Sequence, residues 1–182
     1  MRREEALEFV KERVKDDRLF KHMLAVEALM GACARRLGED EELWGLVGLL
    51  HDVDYEATKD DPKRHGLVSA DLLKGLLPDD ALDAIRAHNE LTGFKCESRL
   101  AKALKACDQL SGLIVATALV MPSKRLGEVK PKSLLRKFKQ KDFARRVERD
   151  KIALCEELGM GLEEFLSLGL DALNGISRAL GL

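Results

Sequence analysis

Residues Leu43 to Leu50 read Leu-Trp-Gly-Leu-Val-Gly-Leu-Leu, an apolar run that ends abruptly in His51-Asp52-Val53-Asp54. A helix that is apolar nearly all round has to be buried nearly all round, so this segment belongs at the centre of the fold. It carries an imidazole and two carboxylates into that interior. A buried charge is stable only with a partner. The rest of the chain therefore has to supply elements that cover the run and groups that satisfy its polar end.

The flanking sequence supplies helices. Glu4 to Val14 places Leu7, Val10 and Val14 at helical spacing. Asp16-Asp17 caps a second helix, from about Arg18 to Leu37, which Gly38 stops. Glu39 to Glu42 put acids at the start of the central helix, where the dipole favours them. Val53 to Arg64 is polar and contains Pro62, the pattern of a surface loop. A fourth helix is predicted from near His65 to Leu76, and a fifth from Ala81 to about His88 after Pro78-Asp79-Asp80. Asn89 to Glu97 reads as a loop. Ser98 to Val120 forms a long apolar helix ended by Pro122. Beyond Pro131 come a short helix over Ser133 to Phe138, a longer one over Asp142 to Leu158, and a last one over Leu162 to Leu180. Nothing alternates long enough to make a strand, and no repeat is present. The expected fold class is an all-α helical bundle forming a single domain over 1–182. Its core lies at about 18–120, and a C-terminal helical extension follows at about 121–182.

Composition narrows the function. The chain is 46% hydrophobic and 35% charged, with a formal net charge of −1, which argues against wholesale nucleic-acid binding and leaves room for a local basic patch. No run approaches the roughly 18 apolar residues of a membrane span; Leu110 to Met121 is too short and contains Ser111 and Thr117. Cys33, Cys96, Cys107 and Cys155 show no CxxC pairing and read as reduced, mostly buried thiols of a cytoplasmic protein. Arg2-Arg3-Glu4-Glu5 does not suit a targeting peptide.

All four histidines fall in one ordered series with acids: His22, His51, Asp52, His65, His88 and Asp108. His22 shares a helix face with Val26, Leu29 and Cys33 and so looks inward. His88 is in register with Leu82 and Ile85. Asp108 sits midway along an apolar helix, where a carboxylate is paired or bound to something. Taken singly, His22 reads as a core histidine, His51 as a helix cap and Asp52 or Asp54 as a turn cap. Together they make a donor set of imidazole and carboxylate suited to a divalent transition metal (Mn, Fe, Ni, Co or Zn). One ion would use His22, His51, Asp52 and Asp108. A second would use His65 and His88, with Asp52 bridging.

This ordered set resembles the HD superfamily of metal-dependent phosphohydrolases over roughly Phe20 to Leu119. His65-Gly66 opening a helix and His88 closing another resemble the two-metal variant of that family. The resemblance implies attack of a metal-activated hydroxide on a phosphate ester, with a nucleotide or other small phosphorylated compound as substrate. No Gly-Tyr-Pro tripeptide is present, which departs from the cyclic-dinucleotide subgroup. Asp52, Asp54 and Arg64 are the candidate catalytic residues. Asp54 is a candidate either for holding a ligand imidazole or for donating a proton. Arg64, Lys63 and Asn89 are candidates for contacting phosphate oxygens, and Tyr55 for the pocket mouth.

Other classes of function stay open. Lys124 to Lys151 holds twelve Lys or Arg against four Asp or Glu, a net charge of +8. One reading is a patch for anionic substrate or RNA on a catalytically silent binding module. The plainer one is a solvated face on which Arg145 and Arg149 pair locally with Asp142 and Glu148. A di-iron oxygenase is a third possibility. Assembly into an oligomer is compatible with all three.

Overall fold

The computed structural model describes residues 1–182 and is built of helices and turns, with no strand. The helices are α1 (Arg3–Arg13), α2 (Asp17–Leu37), α3 (Glu41–Leu50), α4 (Tyr55–Thr58), α5 (Leu67–Leu72), α6 (Asp79–His88), α7 (Arg99–Leu119), α8 (Pro131–Lys139), α9 (Arg149–Ala153), α10 (Leu162–Gly175) and α11 (Ser177–Leu180). The apolar run forms α3, and every residue from Trp44 to Leu50 is buried. α2 packs against it and against α7, and α1, α6 and α7 also contact it. One contiguous core of 45 buried residues runs from Ala6 to Leu180, so the C-terminal helices share it.

Local chemistry sets the helix ends. Asp16 accepts N–H bonds from Arg18 and Leu19, Asp40 from Leu43, and Ser98 from Ala101. These are the bonds that the first turn of a helix cannot make internally. Gly38 ends α2 in the left-handed region at φ 72°, where a side chain is strained.

Four segments differ from the sequence expectation. The loop over 53–64 contains the single turn α4. The fourth helix is shorter than predicted, beginning at Leu67 and ending at Leu72. Gly66 at φ +89° and Gly75 at φ +78° lie outside helical space on either side. The final helix breaks at Ile176 into α10 and α11.

The fourth difference is the largest. Asp142 to Leu158 is not one helix, because turns fill 140–148 and only α9 and a 3₁₀ turn at Glu156–Leu158 follow. The Arg149 guanidinium donates to the carbonyls of Lys137, Phe138, Gln140, Phe143, Ala144 and Val147. It thereby competes with the helical ladder for their acceptors. Arg149 is therefore not the ion-pair partner of Asp142 or Glu148 that local spacing allows, and Glu148 pairs with Lys151 instead. Three cysteines are buried as expected, with Cys33 and Cys107 Sγ atoms 3.5 Å apart, and Cys96 is half-buried. No helix is long and apolar enough to cross a membrane.

Candidate metal centre

The six residues of the ordered series meet at one place. Asp52 is at the middle. Its Oδ1 lies 3.1 Å from His51 Nε2, 3.2 Å from His65 Nε2 and 3.3 Å from His88 Nε2, and its Oδ2 lies 3.6 Å from His22 Nε2. Asp108 Oδ1 is 3.1 Å from His22 Nε2 and 4.0 Å from His51 Nε2. Two groups have donor atoms close enough to share an ion: His22, His51 and Asp108, and His51, Asp52 and His88. His65 Nε2 stands 3.0 Å from His88 Nε2, beside the second group.

The orientation of the rings is decided on their far side. His51 Nδ1 faces the Gly48 carbonyl at 2.8 Å, and His88 Nδ1 faces the Ile85 carbonyl at 2.6 Å. A carbonyl only accepts, so both Nδ1 atoms carry the hydrogen. His65 Nδ1 donates to Asp54 Oδ1 at 2.8 Å. The Ser111 hydroxyl gives its hydrogen to the Asp108 carbonyl at 2.7 Å and so accepts from His22 Nδ1 at 3.1 Å. In each neutral ring the remaining Nε2 is then a lone pair, and all four lone pairs point towards two carboxylates. Acceptors facing acceptors repel unless a cation lies among them. His51 Nε2 shows this most plainly: it is buried and has no hydrogen-bond partner, which is rare for a buried polar atom. The donor set fits a divalent transition ion. The C-terminal ends of α3 and α6, where His51 and His88 sit, add partial negative charge that favours a cation.

Ionisation follows the same geometry. Burial pushes His51 down to about 4, against the attraction of Asp52. Burial also opposes charge on His65, but the hydrogen bonds its ring donates to Asp52 and Asp54 outweigh it and hold the ring up to about 10. For His22, burial is outweighed by Asp108 and Asp52, and its pKa is raised. Burial alone would raise Asp52; His51, His65 and His88 instead hold it well below its ordinary value. Asp108 is likewise lowered, burial being overcome by His22 and His51. The proton held on His65 occupies the electrostatic place of a divalent cation, so a cation has to displace it. Adding Mn(II) to chelator-treated protein at pH 7 in weak buffer is expected to release about one proton per molecule. Affinity should rise with pH, because the His65 ring, held up to about 10, loses its proton only above neutrality. A pH-indicator dye reads both effects, and metal uptake without proton release would show that no proton is displaced from this ring.

The supporting residues have distinct fates. Asp54 is buried, and its two oxygens accept from His65 Nδ1, Gly66 N and Ser69 N at 2.8–2.9 Å. Gly66 admits no side chain, since a Cβ there would lie 2.9 Å from the Ile85 carbonyl and 3.0 Å from the His88 ring. Asn89 does not fit the phosphate contact expected of it, because its amide group donates to the Pro62 and His65 carbonyls and ties the loop to α6. Arg64 and Lys63 are exposed beside His65 and make no ion pair. Tyr55 is 50% exposed and meets His65 edge-on, with ring centroids 5.3 Å apart. Ser111 and Gln109 escaped the sequence reading. Gln109 donates to Asp108 Oδ2 at 2.8 Å and accepts from Glu148 N at 2.9 Å. A hydroxyl one turn after an interior carboxylate was the available signal for Ser111. A cleft of about 680 Å³ lies elsewhere, between α1, α2, α3, α10 and α11. Four of its charged side chains are paired with each other, Arg3 with Glu27 and Arg35 with Glu41.

Comparison with known proteins gives the same direction. The family model described as HD domain matches residues 19–113. Among curated proteins the chain is similar to Ribonuclease Y of Lawsonia intracellularis (strain PHE/MN1-00), 34% identical over 95 residues. That match covers 52% of this chain and 18% of the relative, so the chain spans a small part of that protein's length. No solved structure matches.

Proposed function

Because the chain belongs to the HD domain family, we propose that it is a metal-dependent phosphohydrolase that cleaves a phosphate ester of a nucleotide or other small phosphorylated compound. One observation carries the proposal: four imidazoles each donate Nδ1–H outward and turn Nε2 towards the same pair of carboxylates. His22, His51, Asp52 and Asp108 would hold one divalent ion, and His65 and His88 would hold a second, with Asp52 between them. Ions bound there would supply an acidified water and polarised phosphoryl oxygens.

The chain's own groups do the rest. Asp52 keeps its negative charge at neutral pH and fixes the spacing of the rings around it. Asp54 acts as a positioning residue, since its oxygens are occupied by three N–H donors and none faces a reacting atom. Arg64, exposed one residue before His65, is placed to meet the charge that grows on phosphate oxygens in the transition state. The exposed Tyr55 ring beside His65 offers a face for a nucleobase, which favours a nucleotide within the wider class. The relative's name, a ribonuclease, also supports a phosphoric ester of a nucleotide.

Asp54→Asn is expected to lower metal affinity about 10–100-fold, because it loosens the imidazole it holds, with little effect on the fold. Isothermal titration with Mn(II) measures it. Unchanged affinity would remove Asp54 from the supporting set. The function itself is tested by incubating metal-depleted protein with Mn(II), Fe(II), Co(II), Ni(II) or Zn(II) and a panel of nucleotides and bis(p-nitrophenyl) phosphate. Hydrolysis with at least one ion, abolished by chelator, is expected. No hydrolysis with any ion would favour a silent metal-binding module.

A further inference from the structure

Between Lys130 and Arg146 the chain carries eight Lys or Arg and one acid, Asp142. Local pairing should neutralise such a stretch, and here it does not: none of the eight lies within ion-pair distance of a carboxylate, and all but Lys137 are exposed. Lys137 instead lies 4.4 Å over the Phe143 ring. Mutual repulsion of so many unpaired cations is unfavourable, yet the loop that carries half of them is held firmly. Arg149 binds four of its carbonyls and two more at the end of α8, and Ala144 takes a left-handed φ of 46° that a side chain adopts only under constraint.

The position of this loop matters as much as its charge. Glu148 N–H donates to Gln109 Oε1, whose amide donates in turn to Asp108 Oδ2. Val147 Cγ2 abuts Gly112 on α7. Lys151 Nζ reaches Glu90, two residues past His88. The cationic segment thus ends against the helix that carries Asp108, within two hydrogen bonds of the metal centre. It lies outside residues 19–113, which the family model covers.

We propose that α8 and the loop over 139–147 form a docking surface for the sugar–phosphate backbone of single-stranded RNA, leading a phosphodiester to the metal centre. The delivery step rests on the function proposed above; the docking does not. A polyphosphate backbone suits this surface better than a lipid bilayer does. The segment's apolar side chains are turned inward: Leu134 is fully buried, and Leu135, Phe138, Phe143 and Val147 pack on the core. No apolar face is left on α8 to enter acyl chains. With the Phe143 ring covered by Lys137 and Phe138 packed on the core, recognition would run through phosphates rather than stacked bases, and so would be indifferent to sequence.

The test uses the full chain, fluorescein-labelled oligouridylate and chelator, so that binding is read without turnover. Wild type should bind, with an affinity that falls steeply with salt. Lys141, Arg145 and Arg146 all changed to Ala should weaken binding at least about tenfold and flatten the log–log salt slope by about 2, at about 0.7 per lost phosphate contact. Arg18, Lys74 and Arg178 changed to Ala remove the same net charge elsewhere and should leave binding nearly intact. Both triple variants should hydrolyse bis(p-nitrophenyl) phosphate like wild type when Mn(II) is supplied. Failure of that turnover in wild type indicts the hydrolase reading and leaves the binding result standing. The docking proposal is overturned if wild type does not bind oligouridylate, if both triple variants weaken binding equally, or if phosphatidylserine-containing vesicles are bound and oligouridylate is not. The exposed Leu119 and Val120 at the end of α7 make the vesicle arm a real competitor.

Discussion

Asp52→Ala is expected to lower metal-supported hydrolysis by about 10³-fold or more, since the charge stabilisation supplied by a bound metal is worth several kcal/mol and each 1.36 kcal/mol is about tenfold in rate. The reason is geometric. Oδ1 of Asp52 is the one atom within 3.3 Å of three imidazole Nε2 atoms, and Oδ2 faces the fourth. His51, whose Nε2 belongs to both groups of donor atoms, is its neighbour at 3.1 Å. The same substitution should also drop the His65 ring from about 10 towards its ordinary value, because Asp52 is one of its two partners. Imidazole NMR titration of the chelated protein follows that fall. Asp52→Asn keeps the shape and removes the charge, so it should lose activity to a similar degree. Wild-type turnover in either variant would mean that the cluster is not the reaction centre.

Gly48→Ala is expected to be the most disruptive single-methyl change in the chain. A Cβ at Gly48 would lie 2.8 Å from the Val26 carbonyl oxygen and 2.9 Å from Glu27 N. These are backbone atoms of α2, which cannot swing aside, so the two helices have to part. Overpacking of this kind costs about 1–3 kcal/mol or more, which at this chain length corresponds to a fall in Tm of about 2–12 °C. Metal affinity should fall too, because the Gly48 carbonyl holds His51 Nδ1. Gly45→Ala is the contrast, one turn earlier on the same helix. Its Cβ would meet only the Glu27 side chain and carbonyl at 3.8–4.0 Å. It should be neutral or raise stability by up to about 1 kcal/mol through helix propensity. Calorimetry of the pair decides the point. Equal melting temperatures would show that α2 and α3 do not approach as closely as described.

Periodicity made the central helices readable. Val26, Leu29 and Cys33, spaced from His22 at i+4, i+7 and i+11, are all buried, and His22 faces the cluster with them. The run Leu43–Leu50 announced its own burial, and Asp108 stood out because its neighbours are apolar. Asp54 was legible as a candidate holder of a ligand imidazole, but two other supporting residues were beyond reach, because they join positions far apart in the chain: Ser111 with His22, and Gln109 with Glu148. No local pattern encodes such pairs. The stretch Asp142 to Leu158 misled for a different reason. Its propensity is helical, but the half-buried Arg149 guanidinium offers its carbonyls a better set of donors, and tertiary hydrogen bonding won over local preference. The same event removed Arg149 from the charge balance and left the surface around α8 more cationic than its sequence neighbours implied.

An anomalous difference map from crystals soaked in Mn(II) would test the convergence of the four imidazoles directly. A peak within coordination distance of His51 Nε2, shared with His22, Asp52 and Asp108, is predicted, and a second beside His65 and His88. A featureless map, with His51 Nε2 hydrogen-bonded to ordered water and the rings turned from Asp52, would contradict it.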